Sequence, residues 1–143
     1  MDELLQPKHC VSNQLHQTAR AVNRVYCEEL RAVDLNRAQF SILAYLETLK
    51  RSQLTELAGL LFMDRTTLSR NLKPLEARGL IQVSPDPDDR RARQVELTEE
   101  GRQLFLAAVE LWRNAQKRIL DSFGSDNWLQ LESDLAVLRN SKL

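Results

Sequence analysis

Between Asp64 and Gly79 the sequence concentrates side chains that can bind phosphates and base edges. Placing Leu68 at the origin of a helical wheel puts Leu72 and Leu75 within about 40° of it, as expected of a buried helix face. The opposite arc carries cations and hydroxyls and no carboxylate. The candidate contact residues of this segment are Arg65, Thr66, Thr67, Ser69, Arg70 and Lys73. Because an α-helix fits the major groove of duplex DNA, this pattern predicts a DNA-contacting helix.

A second group of arginines follows a few residues later. Arg90 and Arg91 fall at the tip of a turn rich in proline and aspartate, and Arg93 begins the segment after it. Arginine on an exposed loop suits a narrow, A·T-rich minor groove. We expect Asp89 to orient one guanidinium through a bidentate pair. An ordinary solvated surface explains either group alone, but the two in succession favour nucleic-acid binding.

Apolar periodicity predicts the elements that position these two groups. The first three predicted helices are residues 11–33, a second from the Asn36–Gln39 capping box and a third from Ser52 or Gln53. The fourth runs from its N-cap Asp64 to about Arg78, with Gly79 as its left-handed terminator. The fifth runs from the Thr98 cap to Phe123, and a sixth begins at Ser125 or Asp126. Segments 80–83 and 93–97 are predicted to pair as a small hairpin, and Pro74 should bend the fourth helix. The order of elements predicts a mainly α fold, a winged helix-turn-helix of six helices and a small β-hairpin wing.

Length and composition exclude several classes of protein. The chain has 143 residues, 43% of them hydrophobic, with 20 basic and 20 acidic side chains, so a single domain or one core with an arm is expected. No apolar run could span a bilayer and the N-terminus has no secretory signal, so we expect a cytoplasmic protein with no membrane partner. The two cysteines are not in a CxxC motif, and neither a metal site nor a cofactor is expected.

Two functional classes compete with DNA binding. An enzyme is not expected, because the chain has two histidines, no metal-ligand spacing, no glycine-rich phosphate loop and no nucleophile elbow. A helical protein-interaction module without DNA binding explains the amphipathic helices but not the two basic groups.

The last two predicted helices also carry more apolar surface than one small lobe can cover, which predicts a homodimer.

Several motifs occur in a recognisable order. They are segments 39–43, 57–58, 63–70 and 75–81, then Asp89, Arg91, Leu97, Thr98 and Gly101. The spacing Asp-x-Arg, five residues, Leu-Thr-x-x-Gly resembles the wing motif of the MarR family of winged-helix transcriptional regulators, and the resemblance covers nearly the whole chain. It implies a sequence-specific DNA-binding regulator, a homodimer whose recognition helices enter successive major grooves of a pseudopalindromic operator. Residues 1–35 and 101–143 would form the helical dimerisation region, and residues 36–100 the DNA-binding lobe. A repressor is expected, although the residues themselves do not distinguish a repressor from an activator.

The same resemblance implies an effector, because members of this family usually respond to small phenolic or aromatic acids or to oxidants. The candidate effector-binding residues, expected in the cleft between the dimerisation region and the DNA-binding lobe, are His16, Arg20, Tyr26 and Trp112. The alternative is a thiol-based oxidant sensor at Cys10 in the first helix. Tyr26 matches a tyrosine that partners the sensing thiol in the peroxide-sensing members. Cys10 and Cys27 lie about 25 Å apart along that helix, too far for a disulfide within the chain.

Overall fold

A computed structural model describes residues 2–142 of the chain. These residues form two compact units. One unit is Leu30–Leu111, and the other comprises the described residues up to Glu29 and from Trp112 onwards. The helices and strands are α1 (Val11–Leu30), α2 (Arg37–Leu49), β1 (Arg51–Gln53), α3 (Leu54–Leu60), α4 (Arg65–Ala77), β2 (Ile81–Pro85), β3 (Arg93–Leu97), α5 (Glu99–Phe123) and α6 (Ser125–Asn140). The predicted mainly α architecture is confirmed.

The end of the first helix differs from the prediction. α1 ends at Leu30, and a short 3-10 turn over Arg31–Val33 carries the chain to Asp34. Asp34 adopts a left-handed conformation, with φ at 52°, which aspartate tolerates better than most residues and which ends a right-handed helix. The guanidinium of Arg78 donates to the carbonyl oxygens of Val33 and Asp34 at 3.0 and 2.6 Å. The turn is therefore tied to the C-terminal end of α4.

The sheet has one strand more than the sequence predicted. β1 pairs antiparallel with β3, which also pairs with β2, in the order β1-β3-β2. The third helix accordingly begins at Leu54 rather than at Ser52 or Gln53. A strand of three residues offers no alternation to detect, and its partner lies about forty residues away in the chain. The prediction of a two-stranded hairpin was wrong for that reason.

The core of Leu30–Leu111 is built from the apolar faces of its helices and sheet. Its largest fully buried side chains are Leu30, Ile42, Leu43, Leu46, Leu57, Leu68, Leu75 and Val95. The rings of Phe40 and Phe105 pack with their centroids 5.5 Å apart. This core therefore joins α2, α3 and α4 to the sheet and to the first part of α5, and it positions α4 beside β2.

Polar side chains connect α1 to α5 in the other unit. Arg118 on α5 donates to the carboxylates of Glu28 and Glu29 on α1, at 3.1 and 2.9 Å. The Tyr26 hydroxyl donates to the Gln116 side-chain oxygen in a short hydrogen bond. No helix in the described part of the chain is long and apolar enough to cross a membrane. Residues 2–142 also contain no cluster of three or more His, Cys, Asp or Glu side chains that could hold a metal ion.

Candidate nucleic-acid interface

The start of α4 is built by its N-cap, as the sequence predicted. Asp64 accepts hydrogen bonds from the backbone N–H of Thr67 at 2.7 Å and from the Thr67 hydroxyl at 2.9 Å. These bonds, the backbone one first, hold the pKa of Asp64 below its ordinary value. The hydroxyl of Thr67 is therefore committed to the cap. Asp64 fixes the direction in which the first turn of α4 leaves the loop.

The two faces of α4 are divided as the helical wheel predicted. Leu68, Leu72 and Leu75 are buried against the core. On the opposite side, Arg65, Thr66, Arg70 and Lys73 are exposed and Ser69 is half-buried. These five residues and Pro74 line one shallow surface depression. The predicted contact residues of α4 other than Thr67 are thus brought together on one cationic face.

Pro74 does not end the helix. α4 runs from Arg65 to Ala77 with Pro74 inside it, although proline has no N–H to bond the carbonyl of Arg70. Arg78 is the C-cap residue of the helix, and Gly79 follows with φ at 71°. Glycine adopts this left-handed conformation without steric cost, and the predicted role of Gly79 as a terminator is confirmed.

The arginines of the second group lie on and beside the loop that joins β2 to β3. Arg90 and Arg91 are exposed within the turn, and Arg93 is the exposed first residue of β3. The turn closes on itself, because the backbone N–H of Asp86 donates to the carbonyl of Ala92 at 2.9 Å. The loop therefore presents its arginines to solvent from a short, closed hairpin.

Asp89 acts on the backbone of this loop rather than on a guanidinium. Its carboxylate accepts from the backbone N–H of Arg91 at 3.1 Å, and its carbonyl accepts from the N–H of Ala92 at 2.9 Å. Within residues 2–142 it takes part in no ion pair. The expected bidentate pair was wrong, since an aspartate side chain readily satisfies a backbone donor two residues on.

One contact of the loop was missed by sequence reasoning. Asp86 is only 8% exposed, and its carboxylate accepts from the Gln53 side chain at 2.6 Å and from the backbone N–H of Asp88 at 2.9 Å. The Asp88 bond first, and then the Gln53 bond, lower the pKa of Asp86. Because Gln53 and Asp86 are 33 residues apart in the sequence, no local sequence pattern predicts the hydrogen bond between them. The only available signal was the glutamine at a position where helices favour serine or threonine.

The candidate effector residues lie in the unit outside Leu30–Leu111 and are only partly gathered there. The rings of Tyr26 and Trp112 stack with their centroids 6.4 Å apart, and burial raises the pKa of Tyr26. His16 and Arg20 are exposed on α1, and the Nδ1 of His16 bonds to the Ser12 carbonyl at 2.8 Å.

The two cysteines are free thiols in different settings. Cys10 is exposed and Cys27 is half-buried on α1. Cys10 lies one residue before α1, and not within the first helix as the oxidant-sensor alternative assumed. α1 separates it from Cys27 by the predicted long distance, because the helix runs unbroken from Val11 to Leu30.

The arrangement within Leu30–Leu111 defines a class of protein. α3 and α4 are joined by a short turn, and the β2–β3 wing follows α4 with β1 at the far edge of the sheet. This is a winged helix-turn-helix with a cationic outer face on its second helix.

Known proteins are similar to this chain over different lengths. The model of the MarR family matches residues 35–92. The M. tuberculosis transcriptional regulator MosR, solved in complex with DNA, is 35% identical and superposes with a TM-score of 0.80 over 90% of this chain and 92% of that one. The repressor CouR, bound to a 23-mer DNA duplex, is 29% identical, with a TM-score of 0.84 over 93% and 94%. The repressor NicR of Pseudomonas putida is 35% identical over 64% of this chain and 58% of its own length. The chain covers 58–65% of the length of the first curated relatives it matches.

The chain belongs to the MarR family of transcriptional regulators. The family and the relatives are regulators rather than enzymes, which confirms the prediction that the chain is not an enzyme. The winged helix-turn-helix predicted from the order of elements is confirmed as well.

Proposed function

We propose that this chain is a sequence-specific regulator of transcription that binds duplex DNA as a homodimer. The observation that carries the proposal is the combination of an exposed cationic face on α4 with an arginine-bearing wing in one compact unit. A helix of this kind enters a major groove and uses its N-terminal residues for base edges. We assign the phosphate contacts to Arg70 and Lys73 and the base contacts to Arg65, Thr66 and Ser69.

The wing extends the same contact to a minor groove. Arg90, Arg91 and Arg93 are exposed and belong to the unit that carries α4. Guanidinium groups gain most in a narrow A·T-rich minor groove, where the negative potential is strongest. We therefore propose that the wing reads the flanks of the operator, while α4 reads its half-sites.

The unit outside Leu30–Leu111 supports the homodimer. Among its described residues Ala115 alone is fully buried. Large apolar side chains there stay exposed, among them Leu5 at 79%, Leu129 at 61% and Val137 at 68%. Exposed apolar surface on this scale marks an interface, and a second copy of the chain supplies a matching surface through two-fold symmetry. We propose that the dimerisation region comprises residues 1–35 and 101–143 and the DNA-binding lobe residues 36–100. A single monomeric species in sedimentation equilibrium at micromolar concentration would refute the dimer.

Repression is the regulatory sense we propose, in line with the relatives CouR and NicR, which are named as repressors. A repressor occupies its operator until an effector releases it. We propose a small aromatic acid near the Tyr26–Trp112 pair as that effector. The exposed thiol of Cys10 makes oxidation the competing signal. A protein of this kind acts where chromosomal DNA is accessible, in the cytoplasm.

Binding to DNA is tested by selecting a duplex from a random-sequence library with the purified protein and titrating it at several salt concentrations. Lys73→Ala should weaken binding and lower the salt dependence by about one counterion. Lys117→Ala is the matched control, because Lys117 is exposed on α5 and pairs with Asp121 of its own helix. Equal effects of the two variants would show that α4 is not the DNA-binding face.

The effector is tested on the same protein–DNA complex by footprinting. Salicylate serves as the aromatic acid and hydrogen peroxide as the oxidant. Release by salicylate that is reduced in Tyr26→Phe supports the aromatic effector. Release by peroxide that is lost in Cys10→Ser supports the oxidant sensor instead. A footprint unchanged by both compounds would refute both signals.

A further inference from the structure

A small polar cluster lies at the neck of the wing, where the loop leaves the sheet. We call Gln53, Ser84, Asp86 and Gln94 the wing neck. Asp86 is 8% exposed and Gln94 is 9% exposed. The side chain of Gln94 donates to the Ser84 hydroxyl at 3.4 Å, and Gln53 pairs with Gln94 in the register of β1 and β3. Buried polar groups persist at such a place only if their hydrogen bonds are made.

Asp86 uses both of its carboxylate oxygens in the wing neck. One oxygen accepts from the Gln53 side chain at 2.6 Å and the other from the backbone N–H of Asp88 at 2.9 Å. The backbone N–H of Asp86 also donates to the carbonyl of Ala92 across the loop. One residue therefore closes the base of the loop, shapes its first turn and attaches it to β1.

The Gln53 side chain bonds to Asp86 and does not cap α3. Gln53 is the N-cap residue of α3, yet its side chain makes no capping hydrogen bond. Serine, threonine, aspartate or asparagine would satisfy the first backbone donors of α3. Glutamine has the length to reach the wing instead. The Gln53 side chain thus joins the wing to the beginning of α3, which is the first helix of the helix-turn-helix.

We propose that the Gln53–Asp86 hydrogen bond is a positioning device for DNA recognition. It holds the loop so that Arg90 and Arg91 are presented in one direction while α4 occupies the major groove. The proposal rests on the function proposed above, in which the wing contacts DNA. An arginine on an unanchored loop would keep its charge but lose ordering, and the ordering cost would then be met on binding.

The positioning role predicts that neutralising Asp86 weakens DNA binding, whereas electrostatics alone predicts that it tightens binding. This difference makes the proposal testable. Removing a negative charge from a DNA-contacting loop reduces repulsion by the phosphates and tightens binding. Asp88 provides the matched control, because it is exposed on the same loop and, among residues 2–142, its carboxylate is assigned no hydrogen bond. Asp88→Asn and Asp86→Asn change the net charge equally. They differ in the carboxylate that accepts from both Gln53 and the Asp88 N–H, which Asp86→Asn replaces with a neutral amide that has a single acceptor oxygen.

The experiment measures affinity for a duplex selected from a random library, with its flanks made either A·T-rich or G·C-rich. Asp86→Asn should weaken binding to the A·T-flanked duplex about tenfold, the equivalent of one lost charge-assisted hydrogen bond. Asp88→Asn should bind as tightly as the unmodified protein or more tightly. The double variant Gln53→Glu with Asp86→Asn reverses donor and acceptor at constant charge, and it should recover most of the loss.

A cycle with Arg91→Ala separates positioning from a loss of stability. In the Asp86→Asn background, Arg91→Ala should cost much less affinity than in the unmodified protein, whereas the cost of Arg70→Ala should stay the same. Gln53→Ser serves as a second variant: it gives α3 a good N-cap and so supports the fold while it removes the bond to Asp86. It should reduce A·T-flank binding with little change in thermal stability.

The outcomes distinguish the two proposals. If Arg70→Ala and Arg91→Ala both leave the affinity of the unmodified protein unchanged, the proposed function fails. If both weaken binding but Asp86→Asn binds like Asp88→Asn, the positioning role alone is overturned. The same holds if Asp86→Asn and Arg91→Ala are additive, or if Gln53→Ser retains full A·T-flank binding.

Discussion

Gly101 lies in the first turn of α5, close to Leu80, the residue before β2. Replacing Gly101 with alanine should destabilise the protein strongly. A Cβ atom at this position would stand 1.9 Å from the Leu80 carbonyl oxygen and 2.8 Å from a methyl carbon of Leu97. The nearest atom belongs to the backbone, so no rotamer change can relieve the contact. Either α5 or the segment around Leu80 must move by about 1.5 Å to restore ordinary van der Waals distances.

Neither side is free to move without breaking hydrogen bonds. The Leu80 carbonyl accepts from the Thr98 N–H at 3.1 Å, and the Thr98 hydroxyl donates to the Gly79 carbonyl at 2.6 Å. The same hydroxyl accepts from the Gly101 N–H at 3.0 Å as the cap of α5. Overpacking costs about 1–3 kcal/mol, and the loss of a cap adds about 1 kcal/mol. Alanine recovers about 1 kcal/mol of helix propensity, so we expect a net loss of about 1–3 kcal/mol.

Gly59→Ala is the matched control for this substitution. Gly59 lies within α3, and a Cβ there would meet nothing within 4 Å. The gain in helix propensity is the same, so Gly59→Ala should stabilise the protein by about 0.5–1 kcal/mol. Urea unfolding at one protomer concentration measures both variants, because the stability of an oligomer depends on concentration. If the two glycine variants had equal midpoints, the close approach of α5 to Leu80 would not exist.

Three further predictions concern α4 and the wing. Arg70→Ala should weaken binding to every duplex sequence and lower the salt dependence by about one counterion; an unchanged salt slope in a filter-binding titration would remove Arg70 from the phosphate contacts. Arg91→Ala should lose most affinity on operators with A·T-rich flanks, and a loss independent of flank composition would argue against minor-groove insertion. The hydrogen bonds from Thr67 lower the pKa of Asp64. The Asp64 carboxylate therefore stabilises the fold fully above the ordinary pKa of 3.8, and this stabilisation is lost as the pH falls through the lower pKa of the folded state. Thermal unfolding in acid should therefore show a shallower pH dependence for Asp64→Ala, and identical pH profiles would show that the cap carries no such coupling.

The features that sequence predicted well are those that depend on neighbours in the chain. Asn36 and Gln39 form the expected capping box, and Asp64 and Thr98 cap their helices as expected. Each of these signals joins residues three positions apart, and its geometry is nearly independent of the rest of the fold. The separation of α4 into a buried and an exposed face follows from the helical period alone, for the same reason.

The features that sequence missed depend on contacts between distant segments. β1 exists because Arg51–Gln53 pairs with β3, and the bond between Gln53 and Asp86 exists because that pairing brings the two residues together. No propensity or spacing within a short window contains this information. The error at Asp89 has a different origin: its carboxylate binds a backbone N–H two residues on rather than a guanidinium.

The wing motif that carried the resemblance contains residues with two kinds of role. Thr98 and Gly101 form a joint, since the hydroxyl of Thr98 bonds to residues on both sides of it and Gly101 permits the close approach to Leu80. Asp89 belongs with them, because it holds the backbone N–H of Arg91. That bond leaves the side chain of Arg91 exposed. An Asp-x-Arg pair spaced this way therefore orders the backbone of the arginine without neutralising its guanidinium, which an ion pair would do. If the wing contacts DNA as proposed, this arrangement retains the full charge while it reduces the cost of ordering the loop on binding.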